Sequence, residues 1–308
     1  MKEIKDLIII GAGPAGLTAG IYAGRARIST LILEKGVPGG TIILSDRIEN
    51  YPGFTGSSPF ELMETMRKQA ESFGAEIRQG EVIGLYKENG IWKVKTEMEE
   101  YLARAVIIAT GTTHKKLGIP GEEELTGRGV SFCATCDGPF FKGKEVVVIG
   151  TGNSGIQEGI FLLKYVSKIT FVEFLPYITA DKILQEEIRE KKNVEFLLEH
   201  IVTSINGKER VESVEVKSLK TGEKRILPCS GVFIYAGLQP NTSFLKGIIE
   251  LDQQGYIKTN QYLETSEKGV FAAGDVRAFA FQQVIVAAGD GATAAHSAIK
   301  YIENSKKS

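Results

Sequence analysis

LIIIGAGPAG, Leu7–Gly16, sets a short apolar run directly against a glycine-rich turn. A run of this kind ending in Gly11-Ala12-Gly13-Pro14-Ala15-Gly16 and followed by helical spacing reads as a strand, a tight turn and a helix. Gly11 permits the turn and Gly13 lets a backbone approach a diphosphate. Gly16 lets helix and strand pack closely, and the helix N-terminus offers unpaired N–H groups to an anion. A second apolar run, Thr30–Leu33, ends in Glu34, an acid placed to accept hydrogen bonds from ribose hydroxyls.

The same device recurs. Val146–Ile149 leads into Gly150-Thr151-Gly152-Asn153-Ser154-Gly155, then helical spacing, then Ile169–Val172 and Glu173. In both copies the acid follows the first glycine by 23 residues, 11 to 34 and 150 to 173. One such fingerprint could be a purely structural turn, whereas two with matched acids predict two dinucleotide sites, one for a flavin nucleotide and one for a nicotinamide nucleotide.

Between the two lies SFCATCD, Ser131–Asp137, which holds two of the chain's three cysteines. A CxxC can be half of a zinc site, a redox dithiol or an accident. Zinc needs about four ligands, and Cys229, His114, His200 and His296 are scattered without finger spacing, so no metal site is expected. The histidines read as structural. With a flavin on the same chain, redox chemistry is the leading reading of Cys133 and Cys136. Cys229, beside a proline in a β-rich segment, reads as structural.

The totals agree. The 308 residues are 43% hydrophobic and 24% charged, with a formal net charge of −1, so neither nucleic acid nor a membrane is the expected partner. The opening MKEIKDLIIIGAG lacks signal-peptide shape, and no run approaches the roughly 18 apolar residues of a span. The expected location is cytoplasmic, where a CxxC is more often catalytic or metal-binding than a structural staple.

Along the chain, Ser58-Pro59-Phe60-Glu61 predicts a helix start, and Gly74 its end. Val82–Tyr86, Ile91–Thr96 and Tyr101–Ala109 read as strands, the last leaving through Thr110-Gly111. Val194–Ile205, Arg210–Ser218 and Lys224–Leu227 read as the meander of a second domain. Val270–Asp275 returns to the first domain, and an alanine-rich helix follows over about Val284–Tyr301. The fold class is α/β, with two Rossmann-like dinucleotide-binding domains of the three-layer ββα kind, the second inserted into the first. The expected bounds are 1–116 with 242–308, and 117–241.

GAGPAG (11–16), ENYPG (49–53), ATGTTHKKLGIPGE (109–122), GRGVSFCATCDGPFFKGK (127–144), GVFIYAGLQPNT (231–242) and GVFAAGD (269–275) together resemble the low-molecular-weight thioredoxin reductases over nearly the whole chain. The resemblance implies a homodimeric flavoenzyme that reduces thioredoxin or a similar small redox protein. It places FAD on Gly11, Gly13, Pro14, Ala15 and Gly16, on Glu34, Lys35, Gly39, Gly40 and Thr41, and near Asn50. It also places FAD beside Thr110 and Gly111 and along Gly274, Asp275, Gln282, Gln283 and Val284. Gly150, Gly152, Asn153, Ser154, Gly155 and Glu173 would hold the second nucleotide. By the same resemblance Cys136 exchanges electrons with the flavin, Cys133 attacks the partner's disulfide and Asp137 gives or takes the proton. Asp137 also reads as an acid complementing a helix N-terminus. The family's small domain rotates between two poses, which puts hinges near Lys115–Ile119 and Pro240–Ser243.

The chain departs from that pattern at the donor site. NADPH-using members carry HRRxxxR after the second fingerprint strand; here the stretch is Val172-Glu173-Phe174-Leu175-Pro176-Tyr177-Ile178, without arginine. Glu173 suits a 2′-hydroxyl and repels a 2′-phosphate, and Gly155 stands where those members usually have alanine. NADPH is therefore disfavoured, leaving NADH or a non-pyridine donor, ferredoxin or a deazaflavin. Two more departures fall near the expected flavin: Thr41 ends the family's GGQ, and Gln282-Gln283 replaces its RQ. Phe279 and Phe281 read equally as flavin shields or loop packing. Competing functions are a flavin-dependent dithiol oxidase and a non-catalytic electron-relay flavoprotein.

Overall fold

The computed structural model describes residues 3–56 and 58–306. Two compact units divide the chain: Met1–Ile43, Arg47–Thr113 and Gln239–Ser308 form one, and Leu44–Asp46 with His114–Leu238 form the other.

The first unit is built on β1 (Ile4–Ile10), which pairs in parallel with β2 (Thr30–Glu34) on one side and β6 (Glu100–Ile108) on the other. Leu7, Ile8 and Ile9 are fully buried, as a parallel strand covered on both faces requires. β3 (Glu76–Gln79) extends the sheet beyond β2. β6 changes partner along its length. Its first half pairs antiparallel with β5 (Ile91–Thr96), itself paired with β4 (Val82–Glu88), and its last residues pair in parallel with β17 (Val270–Ala272). Helices α1 (Pro14–Arg25), α2 (Pro59–Ser72) and α6 (Val284–Ser305) supply the helical layer. The apolar core between them includes Leu17, Ile32, Met63, Ala105 and Ala295.

Local rules account for the ends of α2. The Ser58 hydroxyl accepts from the Glu61 N–H at 3.3 Å, Pro59 opens the first turn, and Gly74 at φ +93° ends it.

The second unit repeats the plan. A parallel sheet runs β11 (Val194–Leu198), β10 (Lys168–Glu173), β9 (Glu145–Ile149), β15 (Gly231–Ile234) and β8 (Val130–Ser131). Helices α3 (Ala134–Asp137), α4 (Asn153–Leu162) and α5 (Lys182–Arg189) accompany it. A separate antiparallel sheet runs β12 (His200–Asn206), β13 (Ser213–Ser218) and β14 (Lys224–Pro228). The two chain crossings, β7 (Thr112–His114) and β16 (Leu238–Pro240), pair with each other.

The structure corrects the reading of Val194–Ile205 as one meander arm. Glu199 adopts φ +55° and breaks the run. Residues before it join the parallel sheet beside β10, and residues after it turn into the antiparallel sheet. The break is held by the Glu199 N–H donating to Leu175 O at 3.1 Å and the Leu219 N–H donating to Glu199 O at 2.7 Å. The residue pattern of Val194–Ile205 does not reveal such a change of sheet, because one residue in the left-handed region suffices to redirect the chain. No helix among the described residues is long and apolar enough to cross a membrane.

Candidate active site

In the first unit, Gly11 takes φ +105°, and a Cβ there would lie 2.3 Å from Ala109 O. A Cβ on Gly16 would lie 1.8 Å from Gly11 O, so the helix meets the turn too closely for any side chain. Gly13 is the N-cap of α1 and provides no side-chain cap, leaving the first N–H groups free for an anion. The Gly39-Gly40 loop closes on this turn: the Gly39 N–H donates to Ala12 O at 2.8 Å, and a Cβ on Gly40 would come within 3.1 Å of the Gly13 Cα. Glu34 takes the Ala12 N–H at 2.7 Å on one oxygen and the Gly36 N–H at 3.0 Å on the other.

Other sequence-predicted residues of this unit gather nearby. Thr110 abuts the turn, with its Cα 3.2 Å from a Cβ built at Gly11. Thr110 also exchanges hydrogen bonds with Asn241, its hydroxyl donating to Asn241 O at 2.9 Å. Gly274 packs against Ala15 and Ala287, where a Cβ would approach within 3.0 Å of the Ala15 Cβ. Burial, helped by the Asp290 charge, raises the Asp275 carboxyl to about 6. The Asn50 amide donates to the Gln283 side chain at 2.8 Å, bringing together two residues 233 positions apart. Gln282 reaches Tyr256 Oη at 3.4 Å. Lys35 is exposed, Thr41 opens a 3₁₀ turn, and Val284 is the first residue of α6. Phe279 and Phe281 are exposed. A narrow glycine cradle at a bare helix start, with an acid at the neighbouring strand end, fits a dinucleotide diphosphate.

The second unit builds a matching cradle. Gly150 takes φ +102°, and a Cβ on Gly155 would lie 2.2 Å from Gly150 O. Gly152 is the bare N-cap of α4. The Ala180 N–H donates to Thr151 O at 3.0 Å. Glu173 takes the Thr151 N–H at 2.9 Å and the Thr151 hydroxyl at 2.8 Å on one oxygen, and the Leu175 N–H at 3.0 Å on the other. Asn153, at the helix start, is locked to Asp181 by two hydrogen bonds of 3.0 and 2.7 Å. Ser154 follows it in the first turn. Past Glu173, Phe174 and Tyr177 are exposed and carry no charge.

Cys133 and Cys136 form a disulfide, with Cα atoms 5.4 Å apart. Cys133 is the N-cap of the short α3, and its Sγ accepts the Cys136 N–H at 3.2 Å. The Thr135 hydroxyl lies 3.3 Å from the same sulfur. The Cys136 N–H favours negative charge on Cys133, whereas the Thr135 hydroxyl gives its own proton to Leu44 O. Cys133 is half-buried and Cys136 exposed, while Asp137 sits half-buried in the first turn. Between the cysteines, the buried Ala134 donates its N–H to Tyr235 Oη at 3.0 Å. Burial lifts the remaining thiol, Cys229, to about 12, so it stays protonated and unreactive. Among the described residues no cluster could hold a metal ion. His114 packs on Phe132 and Tyr235, and His200 contacts Leu198 O.

Sequence reasoning missed Thr151, Asp181, Tyr235 and Glu158. Thr151 lay inside the quoted fingerprint. Glu158 had a signal too, as a lone acid on the otherwise apolar i, i+3, i+4, i+7 stripe shared with Phe161, Leu162 and Tyr165.

Two dinucleotide cradles and a disulfide at a helix start, on one chain, define a flavin-dependent disulfide oxidoreductase. The pyridine nucleotide-disulphide oxidoreductase family matches residues 5–291. A thioredoxin reductase of Listeria innocua is 44% identical over 99% of this chain and 96% of its own. The solved Lactococcus lactis thioredoxin reductase, in its FR conformation, is 39% identical over 97% of this chain and 99% of its own, with a TM-score of 0.95. A ferredoxin-flavin thioredoxin reductase of Clostridium acetobutylicum is 30% identical over the full length of both chains, with a TM-score of 0.54. The chain belongs to the pyridine nucleotide-disulphide oxidoreductase family, in its low-molecular-weight thioredoxin reductase branch. That family implies FAD and a pyridine nucleotide.

Proposed function

We propose that the chain reduces the disulfide of thioredoxin or a similar small redox protein through Cys133 and Cys136, and that its electrons come from NADH rather than NADPH. The observation that carries the donor reading is the second cradle. It keeps the turn geometry of the first, yet Glu173 is buried at its strand end and the next residues, Phe174 to Ile178, provide no cation. A 2′-phosphate there would meet a carboxylate and no counter-charge.

FAD, when bound, supplies the two-electron carrier between donor and disulfide, and the first cradle with Glu34, Asn50, Thr110 and Asp275 would hold it. The thiol chemistry belongs to the chain. The Cys133 thiolate attacks the partner disulfide, forming a mixed disulfide and expelling one partner sulfur as thiolate, which takes up a proton. Cys136, deprotonated, then attacks Cys133 Sγ, which closes the Cys133–Cys136 bond and releases the second partner thiolate. In this reading Asp137, the residue after Cys136, exchanges the proton of that thiol. Two sulfurs in the partner are reduced and two in this chain are oxidised.

A second donor reading is ferredoxin, supported by the name of the Clostridium acetobutylicum relative and by the uncharged stretch after Glu173. Anaerobic titration of the flavin spectrum with NADH, NADPH, reduced ferredoxin and reduced deazaflavin separates the readings. Bleaching by micromolar NADPH at a rate equal to NADH would overturn the donor assignment. Oxygen consumption with a reduced dithiol substrate would instead identify a dithiol oxidase, and failure to reduce thioredoxin with any donor an electron relay. We further propose a cytoplasmic homodimer, which light scattering checks for its mass.

A further inference from the structure

Helix α4 packs against α3, and the side it turns that way carries Glu158, Phe161 and Leu162, with Tyr165 just beyond its C-terminal end. Phe161, Leu162 and Tyr165 lie 3.1–3.7 Å from a Cβ built on Gly138, just past the second cysteine. Phe161 and Leu162 share an apolar core with Ala134 and Tyr235. Glu158 is the exception: it is 5% exposed, and its Oε2 has no hydrogen-bond partner. Ionising a buried carboxyl with one oxygen unpaired is costly, so burial holds such a group neutral.

The surroundings of Glu158 give it a task. Ala134, the first residue inside the disulfide ring, gives its N–H to Tyr235 Oη, and the same N–H lies near enough to Glu158 to favour its ionised form. Thus one polar group between the two cysteines faces both buried titratable side chains. The charged groups around Glu158 are few. Asp46, of the short Leu44–Asp46 segment, acts on it through its charge and is itself paired with Lys164 of α4 at 2.9 Å. Asp137 on α3 acts on Tyr235, against which His114 packs edge-on at 5.4 Å. On α5, the N-cap Asp181 is taken up by Asn153.

We propose that Glu158 is a positioning residue for the dithiol, neutral while the disulfide is reduced and able, once ionised, to oppose negative charge on the sulfurs. The inference rests on the redox reading of Cys133 and Cys136 given above. Reduction of the disulfide by two electrons and one proton yields a thiolate and a thiol, or two thiols after a second proton enters. A neutral Glu158 leaves that thiolate unopposed, whereas an ionised one disfavours it. Burial, with a smaller push from Asp46, raises the Glu158 carboxyl to about 8, so the change of state falls within an accessible range.

The test equilibrates the FAD holoenzyme with dithiothreitol or glutathione buffers between about pH 6.5 and 9.5, traps thiols by alkylation and counts them by mass. Glu158→Gln, which cannot ionise, should match the wild type within about twofold at the acid end. At the alkaline end it should be about tenfold more readily reduced. Tyr235→Phe removes the other partner of Ala134 N–H without a group that titrates in this range, and should shift the equilibrium by the same factor at every pH. A wild-type to Glu158→Gln ratio that stays constant with pH overturns the inference. If Glu158→Gln binds no flavin, the infrared band of a protonated carboxylic acid in the wild type decides the matter. A glutamic acid band that titrates at the same pH in the disulfide and dithiol states also overturns it. A CxxC that cannot be reduced at any pH defeats the redox reading itself, which is a different failure.

Discussion

The carboxylates of Glu34 and Glu173 are tied down in the same way. Each accepts the N–H of the residue after the first fingerprint glycine, Ala12 at 2.7 Å and Thr151 at 2.9 Å. Each accepts, on its other oxygen, the N–H two residues further on, from Gly36 and Leu175, both at 3.0 Å. The acids therefore pin the turn to the strand end. Glu173 takes one bond more, from the Thr151 hydroxyl, and is buried.

Removing Glu173 should open its turn. Glu173→Ala leaves two main-chain donors and one hydroxyl without an acceptor, a loss on the order of 2 kcal/mol or more. Amide exchange at Thr151 and Leu175 should quicken about 30-fold. Glu173→Gln keeps an acceptor and should show a smaller effect. Exchange followed by NMR or mass spectrometry reads both.

Cations placed after Glu173 should restore a phosphate preference. Phe174 and Thr179 are exposed, so Phe174→Arg with Thr179→Arg adds two guanidinium groups without disturbing the core. Anaerobic stopped-flow bleaching should show NADPH binding about tenfold or more tighter than in the wild type, with NADH changed less than about threefold.

Gly155 should resist even alanine. The added Cβ would sit 2.2 Å from Gly150 O, so helix and turn must part. Gly155→Ala is expected to lose about 1–3 kcal/mol of local stability and to weaken NADH-driven bleaching, with FAD content unchanged. Flavin absorbance and thermal unfolding test this together.

The sulfur roles can be separated by trapping. With Cys136→Ser, the Cys133 thiolate attacks thioredoxin but cannot be displaced, and a covalent adduct should accumulate on non-reducing gels. Cys133→Ser should give none. An adduct through Cys136, the more exposed sulfur, would reverse the assignment.

Stability of the second unit should fall as the medium becomes alkaline. Burial raises the Glu158 carboxyl to about 8 when folded, against 4.5 for an exposed glutamate, so the folded state holds its proton where the unfolded chain has lost it. Between these values each rise in pH favours unfolding, by a few kcal/mol in total. Glu158→Leu removes the ionisable group and should flatten that slope. Chemical denaturation at pH 5 and pH 9 makes the comparison.

Much of this was legible in the residues. Two glycine turns with matched acids gave away two nucleotide cradles, because only glycine tolerates those contacts and the spacing follows from one strand, one helix and one strand. Ser58 and Gly74 marked their helix ends through the hydrogen bond and the positive φ each provides. The turn at Glu199 was hidden, since both flanks read as strand and nothing in the chain's pattern distinguishes one sheet from another. The pairing of Asn50 with Gln283 was likewise invisible, as it joins segments 233 positions apart.

Sequence alone determined the fold class, the two cradles, the CxxC and the missing cations after Glu173, because each depends on local backbone sterics or on charge that is simply present or absent. Tertiary structure alone decided that Glu158 is buried beside the helix that carries the cysteines and that Glu34 and Glu173 fasten their own turns. Burial and hydrogen-bond partnership arise only when distant segments pack, and they change what an acidic side chain does without changing its identity.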